Sequence, residues 1–149
     1  MNKLTADQMY GAPAPLEPGE VVVAHFAPDR PLYWRLHARM AVIGGVLAAL
    51  ALMISGNPDP WVGPVAAALA MAMRGYYLRS EIFAEEWRLT NWRLLGPVGR
   101  IAPLARLKLA RPFLGAVQIV TQNGDKHLIK YQANAGAVVA QIMAAKEAT

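Results

Sequence analysis

The sequence predicts an α+β membrane protein, with a two-helix transmembrane hairpin followed by a small antiparallel β domain closed by a C-terminal helix. Three observations predict it. Residues 40–55 and 61–73 form two apolar runs without one charged side chain, split by Gly56-Asn57-Pro58-Asp59-Pro60. Beyond residue 79 the chain changes to short apolar segments separated by turn residues, as antiparallel strands do. Near the end, Ala135, Val138, Val139, Ile142 and Met143 recur at helical spacing.

Composition agrees. The 149 residues are 55% hydrophobic and only 17% charged, too apolar for a disordered chain and unusual for a small soluble domain. Once the hairpin is set aside, enough chain follows it for one small domain with a modest core. Cysteine is absent, which removes disulfides, thiolate metal sites and cysteine nucleophiles. The net charge of +5 is spread over single basic residues, so it points to anionic headgroups and not to nucleic acid.

In chain order, residues 1–18 are small and polar, and Pro13, Pro15 and Pro18 forbid a helix. A flexible or draped arm is expected. It is not a signal peptide, because no apolar core follows Lys3. Residues 19–32 supply a strand and a turn: Val21-Val22-Val23-Ala24-His25-Phe26 is strand-like, and Ala27-Pro28-Asp29-Arg30-Pro31 closes it. A lone strand cannot satisfy its backbone, so it should pair with the domain beyond the hairpin.

The hairpin is expected over 33–79, with helices at about 36–55 and 61–78 and a loop at 56–60. The first then has the roughly 20 residues that a bilayer core requires. The second is interrupted by Arg74, whose long stem can snorkel to the headgroups. A hairpin buried in a soluble helical domain is the plainer alternative. Arg30, Arg35 and Arg39 precede the first helix, Arg74 and Arg79 end the second, and the loop carries only Asp59. That distribution puts both termini in the cytoplasm and the loop outside. Trp61 at one end, and Tyr33, Trp34, Tyr76 and Tyr77 at the other, fit aromatic belts, with ordinary packing as the alternative. Gly44, Gly45, Ala48 and Ala49 on one helix, and Ala66, Ala67 and Ala70 on the other, are candidates for close helix packing.

Residues 80–149 form the β domain. Glu86-Trp87-Arg88-Leu89 leads through Thr90-Asn91 to Trp92-Arg93-Leu94-Leu95, and Gly96-Pro97-Val98-Gly99 turns the chain again. Segments 100–104 and 106–112 follow, then a hairpin of 115–122 and 126–132 about Asn123-Gly124-Asp125. A two-residue loop would scatter apolar residues over both faces. A three-residue loop with Gly124 left-handed aligns Val117 and Ile119 with Ile129 and Tyr131, and is preferred. A helix over 135–146 follows, with Asn134 as N-cap and Lys146 in its last turn. Its stripe should close its own domain, although docking on a partner is the other use.

This arrangement resembles the bacterial pleckstrin-homology-like membrane proteins. Trp87-Arg88-Leu89-Thr90-Asn91-Trp92-Arg93-Leu94 looks like that family's entry hairpin, and Leu16-Glu17-Pro18-Gly19-Glu20-Val21 is similar to its Pro-Gly-Glu opening. The resemblance covers the chain from about Leu16. It implies a partly open β barrel or sandwich, capped by the final helix, on the cytoplasmic face of a bacterial inner membrane. The segment after the hairpin is short for such a domain, so residues 21–26 would supply a strand.

Little in the chain points to chemistry. Glu81 and Glu85 have helical spacing, but Arg79 and Arg88 nearby make a solvated charged turn the simpler reading. His25, His37 and His127 share no metal-ligand spacing and no nearby acid, and His37 reads as interfacial. Ser55 and Ser80 lack the surroundings of a nucleophile, and no helix follows Gly96 and Gly99 as a dinucleotide fingerprint needs. No catalytic residue, metal ligand or cofactor is therefore expected. Arg35, Arg39, Arg74 and Arg79 ring the cytoplasmic interface as lipid-headgroup candidates, each contributing about 1 kcal/mol with anionic lipid. Arg88, Arg93, Arg106, Lys108 and Arg111 would extend that surface if their strands faced the bilayer, but read more simply as outward, solvated residues of strands. Arg100 is the one basic residue of the 96–100 loop, which argues against specific inositide binding.

The expected function is a non-catalytic, membrane-anchored interaction module, an accessory or assembly subunit of a larger integral-membrane complex. Photosynthetic and respiratory complexes are candidates, since assembly factors of bacterial photosynthetic complexes include proteins with such a domain. The rival is a sensor of anionic phospholipid. A second copy of the chain is a further candidate partner, and nucleic acid is not one.

Overall fold

The structure, a computed structural model, describes residues 13–149; most of the expected arm, residues 1–12, lies outside them. The chain divides into two compact units. One is a helix pair within Arg30–Ile82. The other joins residues 13–29 to Phe83–Thr149. The fold is α+β, with two antiparallel sheets and a C-terminal helix.

In the β unit the first sheet has the order β1 (Val22–Phe26), β2 (Trp87–Thr90), β3 (Arg93–Leu95) and β4 (Ile101–Pro103). β1 finds its neighbour across the whole hairpin, with His25 opposite Arg88 and Phe26 opposite Trp87. The second sheet is β5 (Leu107–Phe113), β6 (Ala116–Thr121) and β7 (Lys126–Ile129). Val117 faces Ile129 and Ile119 faces His127. The Gly124 amide donates to the Thr121 carbonyl and Gly124 has φ +89°, which is the expected three-residue loop. Tyr131 does not continue β7: its φ of +54° ends the strand at Ile129.

The core of this unit joins both sheets. Phe26, Trp87, Leu89 and Leu94 pack with Leu104, Leu107, Val117, Ile119 and Ile129. The C-terminal helix, Ala135–Glu147, lies against β5 and β6 and inserts Ile142, which is fully buried. Asn134 caps it, its side chain accepting from the Ala137 amide at 3.1 Å. Gly96 is needed beside Trp87, because a Cβ there would stand 2.6 Å from the indole ring.

In the other unit α1 (Arg30–Ile54) starts six residues before the expected Leu36. Pro31 sits in its first turn, where no backbone N–H is required, so the proline does not delay the helix. α1 ends in a Schellman turn: Asn57 donates to the Leu52 carbonyl, Gly56 to Met53, and Gly56 has φ +74°. Asn57 then accepts from the Asp59 amide, completing the breaker. α2 (Val62–Ala84) runs past the expected Leu78. The C-terminal helix is α3. Among the described residues α1 alone is long and apolar enough to cross a membrane. α2 falls short because Arg74, Tyr76, Tyr77 and Arg79 dilute its second half.

Candidate functional site

The helix pair is apolar on its outside. Val42, Ile43, Leu47, Met53 and Leu69 are each about three-fifths or more exposed, and only 11% of the apolar stretch of α1 is buried. The inside is a seam of small residues. A Cβ on Gly63 would meet the Ala48 Cβ at 2.8 Å, one on Gly45 would meet the Pro64 Cα at 3.2 Å, and one on Gly44 the Ala67 Cβ at 3.8 Å. Ala48 and Ala49 thus lie on the seam with Gly44 and Gly45, whereas Ala66 and Ala70 are exposed. Gly63 and Gly75 hold the positions on α2 that the sequence suggested for those alanines. Every face of α2 is rich in small residues, so spacing alone does not identify the face in contact.

At the basic end of the pair Arg35, Arg39, Arg74 and Arg79 are all exposed, with the Arg79 guanidinium 4.1 Å over the Tyr76 ring. Trp34, Tyr76 and Tyr77 are exposed there, and Trp61 at the other end. Tyr33 departs from the expected belt. It is fully buried and donates to the Gly75 carbonyl at 2.7 Å. His37, expected at the interface, is buried between the helices beside it.

The β unit has a buried polar cluster that sequence reasoning missed. Pro18-Gly19 forms a turn with Gly19 at φ +83°, closed by the Glu20 amide donating to Glu17. This turn aims the Glu20 carboxylate inward. Arg93 Nε donates to its Oε1 and Nη2 to its Oε2, both at 2.9 Å. The Thr90 hydroxyl donates to Oε1 at 2.7 Å. Arg93 also reaches the Pro15 carbonyl at 2.9 Å and Glu17 at 3.1 Å, while Asn91 accepts from the Val21 amide. The Arg93 guanidinium holds Glu20 at a pKa of about 2, well below the usual carboxylate range, although burial pushes the other way. Glu20 in turn pushes Arg93 up. Arg93 is therefore no solvated strand residue: its side chain is 13% exposed and fastens the arm to the β2–β3 turn. The Pro-Gly-Glu and Thr-Asn-x-Arg stretches were legible as motifs, but their contact was not.

Elsewhere Arg88 reaches the Ala14 carbonyl, Arg111 donates to Gln118, and Arg106, Lys108 and Arg100 are exposed. His25 does meet an acid, Glu86, across the β1–β2 pair, and Lys130 pairs with Glu85. Both pairs are partly solvated. Two turns place apolar side chains in solvent on left-handed backbone: Val98 (φ +59°, 63% exposed) and Leu114 (φ +47°, 85% exposed). Among the described residues no three His, Asp or Glu side chains gather as metal ligands would. No protein-family model, no curated protein and no solved structure matches the chain.

Proposed function

We propose that this chain is a non-catalytic, membrane-anchored interaction module, an accessory or assembly subunit of a larger integral-membrane complex. The observation that carries it is the outward apolar surface of the helix pair, set over a seam of small residues. Small residues bury too little area to hold two helices together in water, but they suit close packing in lipid. α1 rises about 29 Å from Arg35 to Ile54, close to the thickness of a hydrocarbon core. Arg39 and Arg74 lie inside those limits and snorkel. On this reading α2 crosses beside α1, the 56–60 loop is outside, and both termini are cytoplasmic.

Seven strands in sheets of four and three, capped by α3, support the pleckstrin-homology-like reading of the β unit, with the hairpin inserted between its first two strands. Exposed Leu114 favours protein contact over headgroup sensing. Leucine in left-handed backbone costs roughly 1 kcal/mol that glycine or asparagine would not. The four exposed arginines favour the lipid-sensing alternative. Reporter fusions at Asn57 and after Thr149 should report opposite sides of the membrane, and a cytoplasmic Asn57 sinks the hairpin. Pull-down in mild detergent should recover integral-membrane partners. Flotation with vesicles that depends on anionic lipid, without such partners, favours the sensor.

A further inference from the structure

We propose that the outer face of the β5–β7 sheet is a docking site for one short amphipathic helix of a partner protein, bearing carboxylates beside its apolar stripe. The strand register builds this face. Ala110, Val117, Ile119 and Ile129 belong to the core, so their neighbours along each strand point away from it. Leu109 therefore stands beside Val120 and Lys126, and Arg111 beside Gln118 and Leu128, with Phe113 next along β5. Leu109, Phe113 and Leu128 are each about two-fifths exposed, and Arg111 and Lys126 are exposed among them.

Charge says what covers it. Among the described residues no carboxylate pairs with Arg111 or Lys126. Arg111 Nε donates to the Gln118 side chain at 2.8 Å, which fixes the guanidinium and leaves its Nη groups as a fork for a carboxylate. Dimensions say the form. Three strands about 4.8 Å apart make a face about 10 Å wide, the diameter of an α-helix. From Leu109 to Phe113 β5 runs about 13 Å, the rise of about nine helical residues. Apolar side chains at every third or fourth position of such a helix meet Leu109, Phe113 and Leu128, and a flanking carboxylate meets Arg111. A bilayer suits the face less. Its cations and apolar groups stand at one level, so hydrocarbon that took up Leu109 and Phe113 would take the Arg111 charge and the Gln118 amide with them.

The site rests on the reading of the chain as an interaction module and adds the chemistry of what it binds. The test uses the full chain in mild-detergent micelles. The probe is a lactam-stapled helix of leucine, alanine and glutamate, about 14 residues long, set against the same helix with lysine for glutamate. The acidic helix should bind about tenfold tighter or better, the worth of one charge-assisted hydrogen bond. Arg111→Glu with Lys126→Glu should reverse that preference. Arg100→Glu with Lys146→Glu, an equal change of net charge away from the face, should keep it. Equal binding of the two helices, or a preference that survives Arg111→Glu with Lys126→Glu, overturns the site. In native membranes, benzoylphenylalanine in place of Leu128 should cross-link a carboxylate-bearing helical segment of another protein, identified by mass spectrometry of the adduct. An adduct with phospholipid or with a second copy of the chain, or no adduct, overturns the site as well. Integral-membrane partners recovered by pull-down despite such a failure leave the module reading standing. An adduct with a soluble protein does the reverse, keeping the site and overturning the membrane-complex reading.

Discussion

In the β unit Leu89, Leu94, Leu104 and Leu107 are fully buried, whereas Leu47, Met53 and Leu69 on the helix pair are each about three-fifths exposed. The β unit puts its large side chains inside and, the Glu20–Arg93 pair apart, leaves its charges at the rim. The helix pair, Tyr33 and His37 apart, puts glycine and alanine inside and most of its large side chains out. Burial of about 25 cal/mol per Å² of apolar surface drives the first arrangement in water and opposes the second. On the membrane reading proposed above, the two units are built for different solvents, and each can be perturbed without the other.

The largest expected effect is on the β unit. Ile142→Asp places a charge where no partner waits and should cost more than about 4 kcal/mol, enough to unfold a small domain. Gln141→Asp, one residue away and exposed, should change little. Limited proteolysis in membranes reads the difference, and the helix pair should survive both. Equal resistance of the two variants would mean that α3 is no part of the core.

A somewhat smaller effect is expected at the polar cluster. Arg93→Met strands the buried Glu20 carboxylate and should cost about 3 kcal/mol. The pair also sets an acid limit. An unfolded Glu20 takes up its proton near pH 4.5 and the folded one only near pH 2. Its contribution is therefore complete above about pH 5 and is lost as pH falls from 4.5 through 2. Urea midpoints between pH 6 and pH 3 should fall more steeply for the wild-type β unit than for a Glu20→Gln, Arg93→Met double variant. Parallel profiles would remove the pair from the account.

The smallest effect tests the helix seam. Gly63→Ile forces a side chain into Ala48 and should cost about 1–3 kcal/mol. Since the chain has no cysteine and a Cβ at Gly44 would stand 3.8 Å from that of Ala67, cysteines at these two positions can report the seam as a disulfide. The bond should form in the parent chain and with Ala66→Ile, but not with Gly63→Ile. Loss of the bond in the Ala66→Ile chain would place the seam on the other face of α2.

What the sequence disclosed follows from the range of the interactions involved. Parity across Asn123-Gly124-Asp125 was enough to align the odd positions of the two strands, though not to choose Ile129 as the partner of Val117, and Asn134 announced its own cap, because both are settled within a dozen residues. The Leu114-Gly115 turn between β5 and β6 was not foreseen. Leucine is a poor marker for a position with positive φ. Nor was the Glu20–Arg93 pair, whose members lie 73 residues apart. A charge gives no sign of burial until its partner is placed. His37 was read as interfacial for the same reason: only the second helix shows that it is covered.

About 60 residues separate the last residue of β1 from the first of β2. At a synthesis rate of roughly 5–20 residues per second, β1 waits several seconds for its neighbour, and longer for the β5–β7 sheet and α3 that finish the core. Throughout that interval it is an open edge, available to chaperones, proteases and stray strands. The delay ends only when both helices have been made and have brought the chain back to Trp87. Completion of the β unit is thus a timed report that the hairpin has been laid down, and a chain that fails there carries the failure in an unpaired Val22–Phe26.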